Sequence, residues 1–131
     1  MSRARILVVD DEQKLCDILK DILEIEGYEV EICFDEASAY EKLASNQFDI
    51  AIVDVFISNE PSGILLARHI AECYPETSLI LMTGFADEAD ICRAFEAGAY
   101  ACITKPFMLD DVLRVVGTVL DNRGQNLAFA A

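Results

Sequence analysis

Short apolar runs alternate with helix-like stretches along the chain, and this alternation constrains the fold more than any other feature. Three of the runs are continuously apolar, which is typical of strands that are covered on both faces of a sheet. The second run alternates apolar with acidic residues, as a strand at the edge of a sheet does. The five predicted strands span Arg5–Val9, Tyr28–Cys33, Asp49–Val53, Ser78–Met82 and Ala99–Ile103.

The segments between these runs place apolar residues at the period of an amphipathic α-helix. The first and last segments carry the clearest stripes, which are Leu15, Ile18, Leu19, Ile22 and Leu23, and Leu109, Val112, Leu113, Val116 and Leu120. Residues 35–45, 62–74 and 87–97 fill the remaining helix positions less clearly. Gly27 and Gly98 stand where helices should end, because glycine enters the left-handed conformation at little cost.

Strands and helices that alternate in this way define an α/β fold. Right-handed crossovers then favour one parallel sheet with helices on both faces. The 131 residues correspond to about one domain. We predict that this domain spans residues 1–121, and that residues 122–131, which lose the helical pattern, form a tail or the remnant of a linker. In such sheets, binding sites form beyond the carboxyl ends of the strands.

The composition argues against several classes of function. Ten basic and 24 acidic residues give a net charge of -14, which disfavours direct contact with nucleic acid or with an anionic membrane surface. No stretch approaches the ~20 apolar residues of a membrane span, and no signal peptide is recognisable. The five cysteines form no C-x-x-C pair and His69 is the sole histidine, so we expect no zinc site. We interpret the cysteines as small core or helix residues of a protein in the reducing cytoplasm.

Polar residues follow four of the predicted strands at the end where a site is expected. Asp10 and Asp11 end the first strand, Asp54 the third, Thr83 the fourth and Lys105 the fifth. Three carboxylates (-3) and one ammonium (+1) sum to -2, and such a charge is costly in a cleft. A Mg²⁺ ion, which prefers oxygen ligands and keeps some of its waters, brings the sum to zero. The sequence therefore predicts a magnesium site at this edge.

Simpler interpretations of the same residues stay open. Asp10 or Asp11 could cap the first helix, and Lys105 could form an isolated salt bridge. Taken together, however, a metal ion, a lysine and a hydroxyl around the further carboxylate of Asp54 suit the handling of a phosphoryl group. A carboxylate can act as a nucleophile and form an acyl phosphate.

Four motifs, "VVDDE", "IVDV", "MTG" and "GAYACITKPF", stand in this order at the strand ends. With these motifs the sequence resembles the receiver domain of bacterial two-component response regulators, from residue 4 to about residue 121. The resemblance implies a flavodoxin-like (βα)5 fold with the strand order 2-1-3-4-5. It also implies a phosphorylation switch that turns over no outside metabolite, and so a protein that is not an enzyme in the usual sense.

The resemblance assigns roles to the acidic residues. Asp54 matches the phospho-acceptor, which takes a phosphoryl group from a histidine kinase or a histidine phosphotransfer protein. Asp10 and Asp11 match the pair that holds Mg²⁺, Asp11 directly and Asp10 mainly through water. Asp54 itself and the backbone carbonyl of Phe56 match further ligands of the ion.

Three other residues match positions that respond to phosphorylation. Thr83 matches the hydroxyl that moves to the phosphoryl oxygen, and Lys105 matches the cation that pairs with it. Pro106 matches the family's proline after that lysine, where a cis peptide bond would aim the side chain. The resemblance also implies a downstream effector protein or domain, and it leaves open a dimer that depends on phosphorylation.

Two departures from the family pattern bear on signalling. The family's switch aromatic, three positions before the lysine, is Cys102 here, and Tyr100 is expected to face away from that position. The switch is then weakened or carried by other residues, unless Cys102 merely fills a smaller space. The loop after Asp54 has Ser58 where the family usually has proline, and its glycine, Gly63, comes one residue late. An altered choice of partner is therefore expected.

Two aromatic residues and the histidine have alternative interpretations. Phe56 and Phe85 are expected to flank the phosphoryl group, where they either hinder the attacking water and prolong the phospho-form or simply pack the loops. His69 lies on the third predicted helix, and a solvated helix face is expected there rather than a phosphorelay histidine.

Two other classes of function compete with the switch. A phosphorylation-independent interaction module on the same fold is motivated by Cys102 and the altered loop. A Mg²⁺-dependent phosphatase with an aspartyl nucleophile would carry an acid two residues after Asp54, where Phe56 stands. No glycine-rich loop follows the first strand, so we expect no dinucleotide site. The sequence leaves open the cognate kinase and the output, whether stand-alone, a shuttle or part of a longer regulator.

Overall fold

The computed structural model describes residues 3–57, 62–84 and 95–122, together with the backbone of residues 129–130. Helices and strands alternate along these ranges. The strands are β1 (Arg5–Val9), β2 (Glu29–Cys33), β3 (Ile50–Asp54), β4 (Ser78–Thr83), β5 (Ala101–Thr104) and β6 (Phe129–Ala130), and the helices are α1 (Gln13–Ile25), α2 (Glu36–Ser45), α3 (Ser62–Cys73) and α4 (Leu109–Asp121).

All of these strands run parallel in one sheet of order β2-β1-β3-β4-β5-β6. The predicted α/β fold and the predicted order of the first five strands are therefore confirmed. β1 lies between β2 and β3, with Val9 paired to both Cys33 and Val53, so the carboxyl ends of these three strands are level. The last residues of β3 and β4 are Asp54 and Thr83, which the sequence had indicated as site residues.

Side chains of β1 alternate between two hydrophobic clusters, one on each face of the sheet. Leu7 and Val9 belong to the cluster that α2 and α3 cover, whereas Ile6 and Val8 belong to the cluster that α1 and α4 cover. Because both faces are covered, the strand is apolar at successive positions, which explains its continuous apolar run. Burial of each such side chain contributes about 1.5–3 kcal/mol to folding.

The two predicted helix-ending glycines adopt left-handed backbone conformations. Gly27 follows α1 with φ +97°, and Gly98 precedes β5 with φ +105°. At Gly98 packing adds a second constraint, since an added Cβ would lie 2.6 Å from the Cβ of Ala71 on α3. A side chain is therefore excluded there both by the backbone conformation and by the neighbouring helix.

The C-terminal residues depart from the regular winding of the sheet. α4 joins β5 to β6 in the same direction across the sheet as α3 joins β3 to β4, but α4 packs on the opposite face. The β5–α4–β6 connection therefore has the opposite hand to the β3–α3–β4 connection, and left-handed crossovers are rare. The strand β6 has two residues, so it adds little pairing to β5. The assignment of residues 122–131 as a tail stays a prediction.

The fourth predicted helix, residues 87–97, falls mostly outside the described ranges. Within those ranges, none of the helices combines the length and the apolar character needed to cross a bilayer.

Candidate functional site

The carboxyl edge of the sheet brings together charged side chains from three strand ends. Asp10 follows β1, Asp54 ends β3 and Lys105 follows β5. The Nζ of Lys105 lies 2.9 Å from Oδ2 of Asp10 and 3.1 Å from Oδ2 of Asp54. Lys105 therefore does not form an isolated salt bridge, because it links the carboxylates of two neighbouring strands.

Asp11 completes a cluster of three carboxylates. Asp10, Asp11 and Asp54 each offer one oxygen, and these oxygens lie within 4.8 Å of one another. Asp10 is fully buried and Asp54 is 6% exposed, whereas Asp11 faces solvent. Oxygen donors that lie this close together, with one of the carboxylates exposed to water, fit a Mg²⁺ ion, which keeps several water ligands. The donor set thus suits the predicted metal.

Backbone contacts fix the turn that carries Asp10. Its N–H donates to the Cys33 carbonyl at 3.1 Å, and its Oδ1 accepts the N–H of Glu12 at 2.9 Å. The thiol of buried Cys16 donates to the Asp10 carbonyl at 3.3 Å. The N-cap position of α1 is Glu12, whose side chain makes no capping hydrogen bond. The carboxylate of Asp10 thus bonds the backbone of the N-cap residue itself.

The protonation equilibria of the site follow from burial and from neighbouring charges. Burial and the nearby Asp10 charge raise the pKa of the Asp54 carboxyl to about 6, although Lys105 and the N–H of Phe56 oppose this shift. Burial alone would lower the pKa of Lys105, but hydrogen bonds and charges of Asp10 and Asp54 outweigh burial and raise it. Near neutral pH an ionised Asp54 therefore stands beside a charged lysine.

Thr83 lies on the strand next to Asp54. Its side chain is buried, and its backbone carbonyl accepts the N–H of Lys105 at 2.8 Å. Met82, the residue before it, is paired in register with Asp54. These contacts tie the strand end that bears Thr83 to the segment that bears the lysine. The peptide bond between Lys105 and Pro106 is cis, as predicted.

Phe56 contacts the candidate acceptor through its backbone. Its N–H donates to Oδ1 of Asp54 at 3.2 Å, and the residue is half-buried. The hydrogen bond places the residue beside the carboxylate, where the sequence had predicted a metal ligand. Phe85 and Ser58, which also carried expectations, lie outside the described residues.

Gly63, in the first turn of α3, packs against the backbone of Asp54. Its N–H donates to the Val55 carbonyl at 3.0 Å. A Cβ at this position would overlap the carbonyl oxygen of Asp54 and would lie 2.8 Å from the carbonyl oxygen of Val55. The glycine that the sequence places one residue late is therefore in direct contact with the acceptor segment.

Cys102 and Tyr100 belong to opposite faces of the sheet. Cys102 is fully buried in the cluster under α2 and α3, whereas the Tyr100 ring packs against the cluster under α1 and α4. The expectation that Tyr100 faces away is confirmed. Residues two apart in a regular strand share a face, and this pair does not because Tyr100 precedes β5, which begins at Ala101.

His69 lies in the second half of α3 and is half-buried, so its position is only partly solvated. Its ring meets the rings of Tyr40 and Tyr74 edge-on, with centroid distances of 4.8 and 5.7 Å. Its Nδ1 lies 3.7 Å from Sγ of Cys73. The packing of α2 against α3 covers this face, and the sequence of α3 alone does not reveal that packing.

Two residues at the site received no role from the sequence. Oε2 of Glu12 lies 3.8 Å from the Lys105 ammonium, and the Cys16 thiol bonds the backbone that carries Asp10. Glu12 had a signal, since it continues the acidic run after β1. Cys16 had none, because its contact depends on how the first turn of α1 sits against β1.

A large cleft formed by the described residues lies away from this site. It has a volume of about 750 Å³, and Arg5, Asn46 and Thr77 line it at the amino-terminal edge of the sheet. Arg5 is already bonded there to Glu31 and Asn46. Among the described residues, the cluster of potential metal ligands is the one at the carboxyl edge. The chemistry of the side chains therefore locates the site, and cavity size does not.

A parallel sheet of this order, with acids and a lysine at its carboxyl edge, defines a flavodoxin-like α/β protein with an acidic site at the strand ends. The chain belongs to the response regulator receiver domain family, whose family model matches residues 6–117. Receiver domains of this family are signalling switches of two-component systems rather than classical enzymes.

Relatives of known sequence and structure agree with this membership. The chain is 31% identical over 120 residues to the regulatory protein VanRB of Enterococcus faecalis, an alignment that covers 92% of this chain and 54% of that protein. The CheY-like receiver domain protein of Methanospirillum hungatei JF-1 matches with a TM-score of 0.87 and 34% identity, over 93% of this chain and 97% of that one.

The DrrB receiver domain of Thermotoga maritima, solved in a BeF3-activated form, matches with a TM-score of 0.84 and 28% identity, over 92% of this chain and 100% of that one. The chain spans about half the length of the curated relatives it matches.

Proposed function

We propose that the chain is a phospho-accepting switch of a two-component system or phosphorelay, with Asp54 as the acceptor. One observation carries this proposal: Nζ of Lys105 lies 2.9 Å from Asp10 and 3.1 Å from Asp54, within a cluster of three carboxylates. A cation fixed between acids at the strand ends is suited to neutralise a transferred phosphoryl group.

Asp54 supplies the nucleophile in this proposal. With a pKa of about 6, its carboxyl is largely ionised at neutral pH. One carboxylate oxygen attacks the phosphorus of a phosphohistidine on a kinase or phosphotransfer protein. The bond between phosphorus and the imidazole nitrogen breaks, and its electron pair stays on the imidazole. The product is an acyl phosphate, and the N–H of Phe56, 3.2 Å from Oδ1, orients the carboxylate beforehand.

Asp10, Asp11 and Asp54, with the backbone carbonyl of Phe56, would hold the Mg²⁺ ion. When bound, the ion neutralises charge on the phosphoryl oxygens. Lys105, which bridges Asp10 and Asp54, would pair with a phosphoryl oxygen once the group has arrived.

Thr83 and the segment after β5 would respond to the modification. The buried Thr83 ends the neighbouring strand, and its hydroxyl would donate to a phosphoryl oxygen. Its carbonyl already bonds the N–H of Lys105, so the two residues move as a connected pair. That the related DrrB receiver domain is described as BeF3-activated supports an activation step of this kind.

Exposed apolar side chains around the same edge support a protein partner. Phe34 follows β2, Leu65 lies in the first turn of α3 and Met108 precedes α4, and these three side chains are 44%, 64% and 70% exposed. Apolar side chains at this edge suit contact with the protein that delivers the phosphoryl group. We place this exchange in the cytoplasm, with an effector protein or domain reading the phospho-state.

Intact mass after incubation with acetyl phosphate tests the proposal. We expect one adduct that requires Mg²⁺, is absent with EDTA and is absent from Asp54→Asn. No adduct on a folded protein that still binds Mg²⁺ would instead favour a phosphorylation-independent interaction module. The buried Cys102, in place of the family's switch aromatic, is the observation that motivates this second candidate.

A further inference from the structure

The first turn of α3 rests on the peptide that follows the acceptor side chain. Gly63 is buried there, and its N–H donates to the Val55 carbonyl at 3.0 Å. A Cβ on Gly63 would overlap the carbonyl oxygen of Asp54 and would lie 2.9 Å from the Asp54 carbonyl carbon. The obstacle is backbone on a central strand, which cannot swing aside as the end of a flexible side chain can.

Both partners of this contact are held by other interactions. Leu66 and Ala67, in the next turn of α3, are fully buried in the core cluster that also contains Val53. On the strand side, the N–H of Val55 donates to the Met82 carbonyl at 2.9 Å. An added methyl group therefore cannot be accommodated by simple separation of helix and strand. The strain falls on the peptide between Asp54 and Val55, which sets the direction of the carboxylate.

We propose that Gly63 is a positioning residue for Asp54: the absence of a side chain lets α3 clamp the backbone of the acceptor and aim its carboxylate at Lys105. This inference rests on the proposed function of Asp54. The contact acts in both directions, since coupling between two sites is reciprocal. A shift of the Asp54 backbone on modification is therefore passed to the first turn of α3, where Leu65 is 64% exposed.

The experiment compares Gly63→Ala with Gly117→Ala in the whole chain. Gly117 lies inside α4, where an added Cβ meets nothing within 4 Å, so this variant controls for the general effect of alanine in a helix. Folding is followed by circular dichroism, Mg²⁺ affinity by calorimetry, and the initial rate of acetyl phosphate labelling by intact mass.

We expect folded Gly63→Ala to be labelled roughly 10- to 100-fold more slowly, as for a misplacement of about 1 Å, and to bind Mg²⁺ more weakly. Gly117→Ala should stay within about two-fold of the parent, because its methyl group contacts nothing. A purely structural role would lower the midpoint of thermal unfolding and leave the labelling rate of the folded protein unchanged. That result would overturn the inference about Gly63. Labelling of the parent chain would still support the proposed function.

If Gly63→Ala does not fold, the amide resonances of the parent chain provide the test. The Gly63 amide resonance should then shift in step with Mg²⁺ binding and with labelling, whereas the Gly117 amide stays in place. If the Asp54 amide resonance shifts and the Gly63 amide resonance does not, the inference is overturned. If the folded parent chain is not labelled and does not bind Mg²⁺, the proposed function is wrong, and so is this role of Gly63.

Discussion

The ammonium nitrogen of Lys105 lies 2.9 Å from Oδ2 of Asp10, although 95 residues separate the two in the sequence. Asp10 is fully buried and the Lys105 side chain is 22% exposed, so neither charge can be solvated well without the other. The same nitrogen lies 3.1 Å from Oδ2 of Asp54, so one ammonium group neutralises both carboxylates. Predictions about stability and metal binding therefore follow from changing one member at a time.

Lys105→Met is expected to lower the free energy of unfolding in EDTA by roughly 2–4 kcal/mol, because two mostly buried carboxylates lose their counter-charge. The formal charge of the site changes from -2 to -3, so its affinity for Mg²⁺ should rise. Urea unfolding and calorimetric titration measure the two effects. Lys14→Met, which changes an exposed lysine of α1, is the control. Equal Mg²⁺ affinity in the variant and the control would contradict this account.

Asp54→Asn is expected to stabilise the metal-free protein at neutral and alkaline pH. The folded state raises the pKa of Asp54 from 3.8 to about 6, so it favours the protonated carboxyl. This contribution is complete below the unfolded pKa and is lost as the pH rises through about 6. The variant should therefore gain roughly 1–3 kcal/mol at pH ~8 and almost nothing at pH ~4.

Urea unfolding of Asp54→Asn and of the parent in EDTA at several pH values tests this dependence. Asp10 keeps Lys105 paired in the variant, so the comparison isolates the acceptor carboxyl. A gain in the free energy of unfolding that grows as the pH falls would show that the pKa of Asp54 shifts in the opposite direction on folding.

Cys73 is expected to react with iodoacetamide in the folded protein, while the buried cysteines do not. Cys73 is exposed at the end of α3, whereas burial raises the pKa of the Cys16 and Cys33 thiols to about 12 and about 11. Since the thiolate is the reactive form, these two should be labelled only after unfolding. Peptide mapping measures the labelling of each cysteine. A Cys92→Ser variant is used, which removes a cysteine outside the described residues. Fast native labelling of Cys33 would refute the predicted difference.

Cys102→Tyr is expected to destabilise the fold by roughly 1–3 kcal/mol or more, because a large ring enters a fully buried position. Cys102→Ala, which leaves a small cavity, should cost less than the tyrosine. Thermal unfolding of both variants orders these effects. A Cys102→Tyr protein as stable as the parent would mean that the site has room for an aromatic ring. Unchanged partner affinity of this variant in both phospho-states would count against a signalling role for the position.

The convergence of Asp10, Asp54 and Lys105 could be predicted from the sequence. Continuous apolar runs mark strands that are covered on both faces, and parallel strands place their carboxyl ends at one edge. The residue that follows each run therefore becomes a site residue without knowledge of any side-chain contact. The chemistry of the site then follows from counting charges.

Contacts that depend on how helices sit on the sheet could not be predicted in this way. The clamp of Gly63 on Asp54 and the bond from the Cys16 thiol to Asp10 depend on the placement of α3 and α1. The half-buried ring of His69 depends on α2 packing beside α3. β6 was not expected either, because residues 122–131 show no clear pattern, and its crossover has the hand that general rules disfavour.

Locating the modified residue tests most directly whether Asp54 is the phospho-acceptor. Borohydride reduces an aspartyl phosphate to homoserine, and tandem mass spectrometry of peptides then identifies the position. After treatment with acetyl phosphate and Mg²⁺, we expect homoserine at position 54 and at no other aspartate, with none formed in EDTA. Homoserine at Asp10 or Asp11, or at no position of a folded protein that binds Mg²⁺, would contradict the assignment of Asp54 as the acceptor.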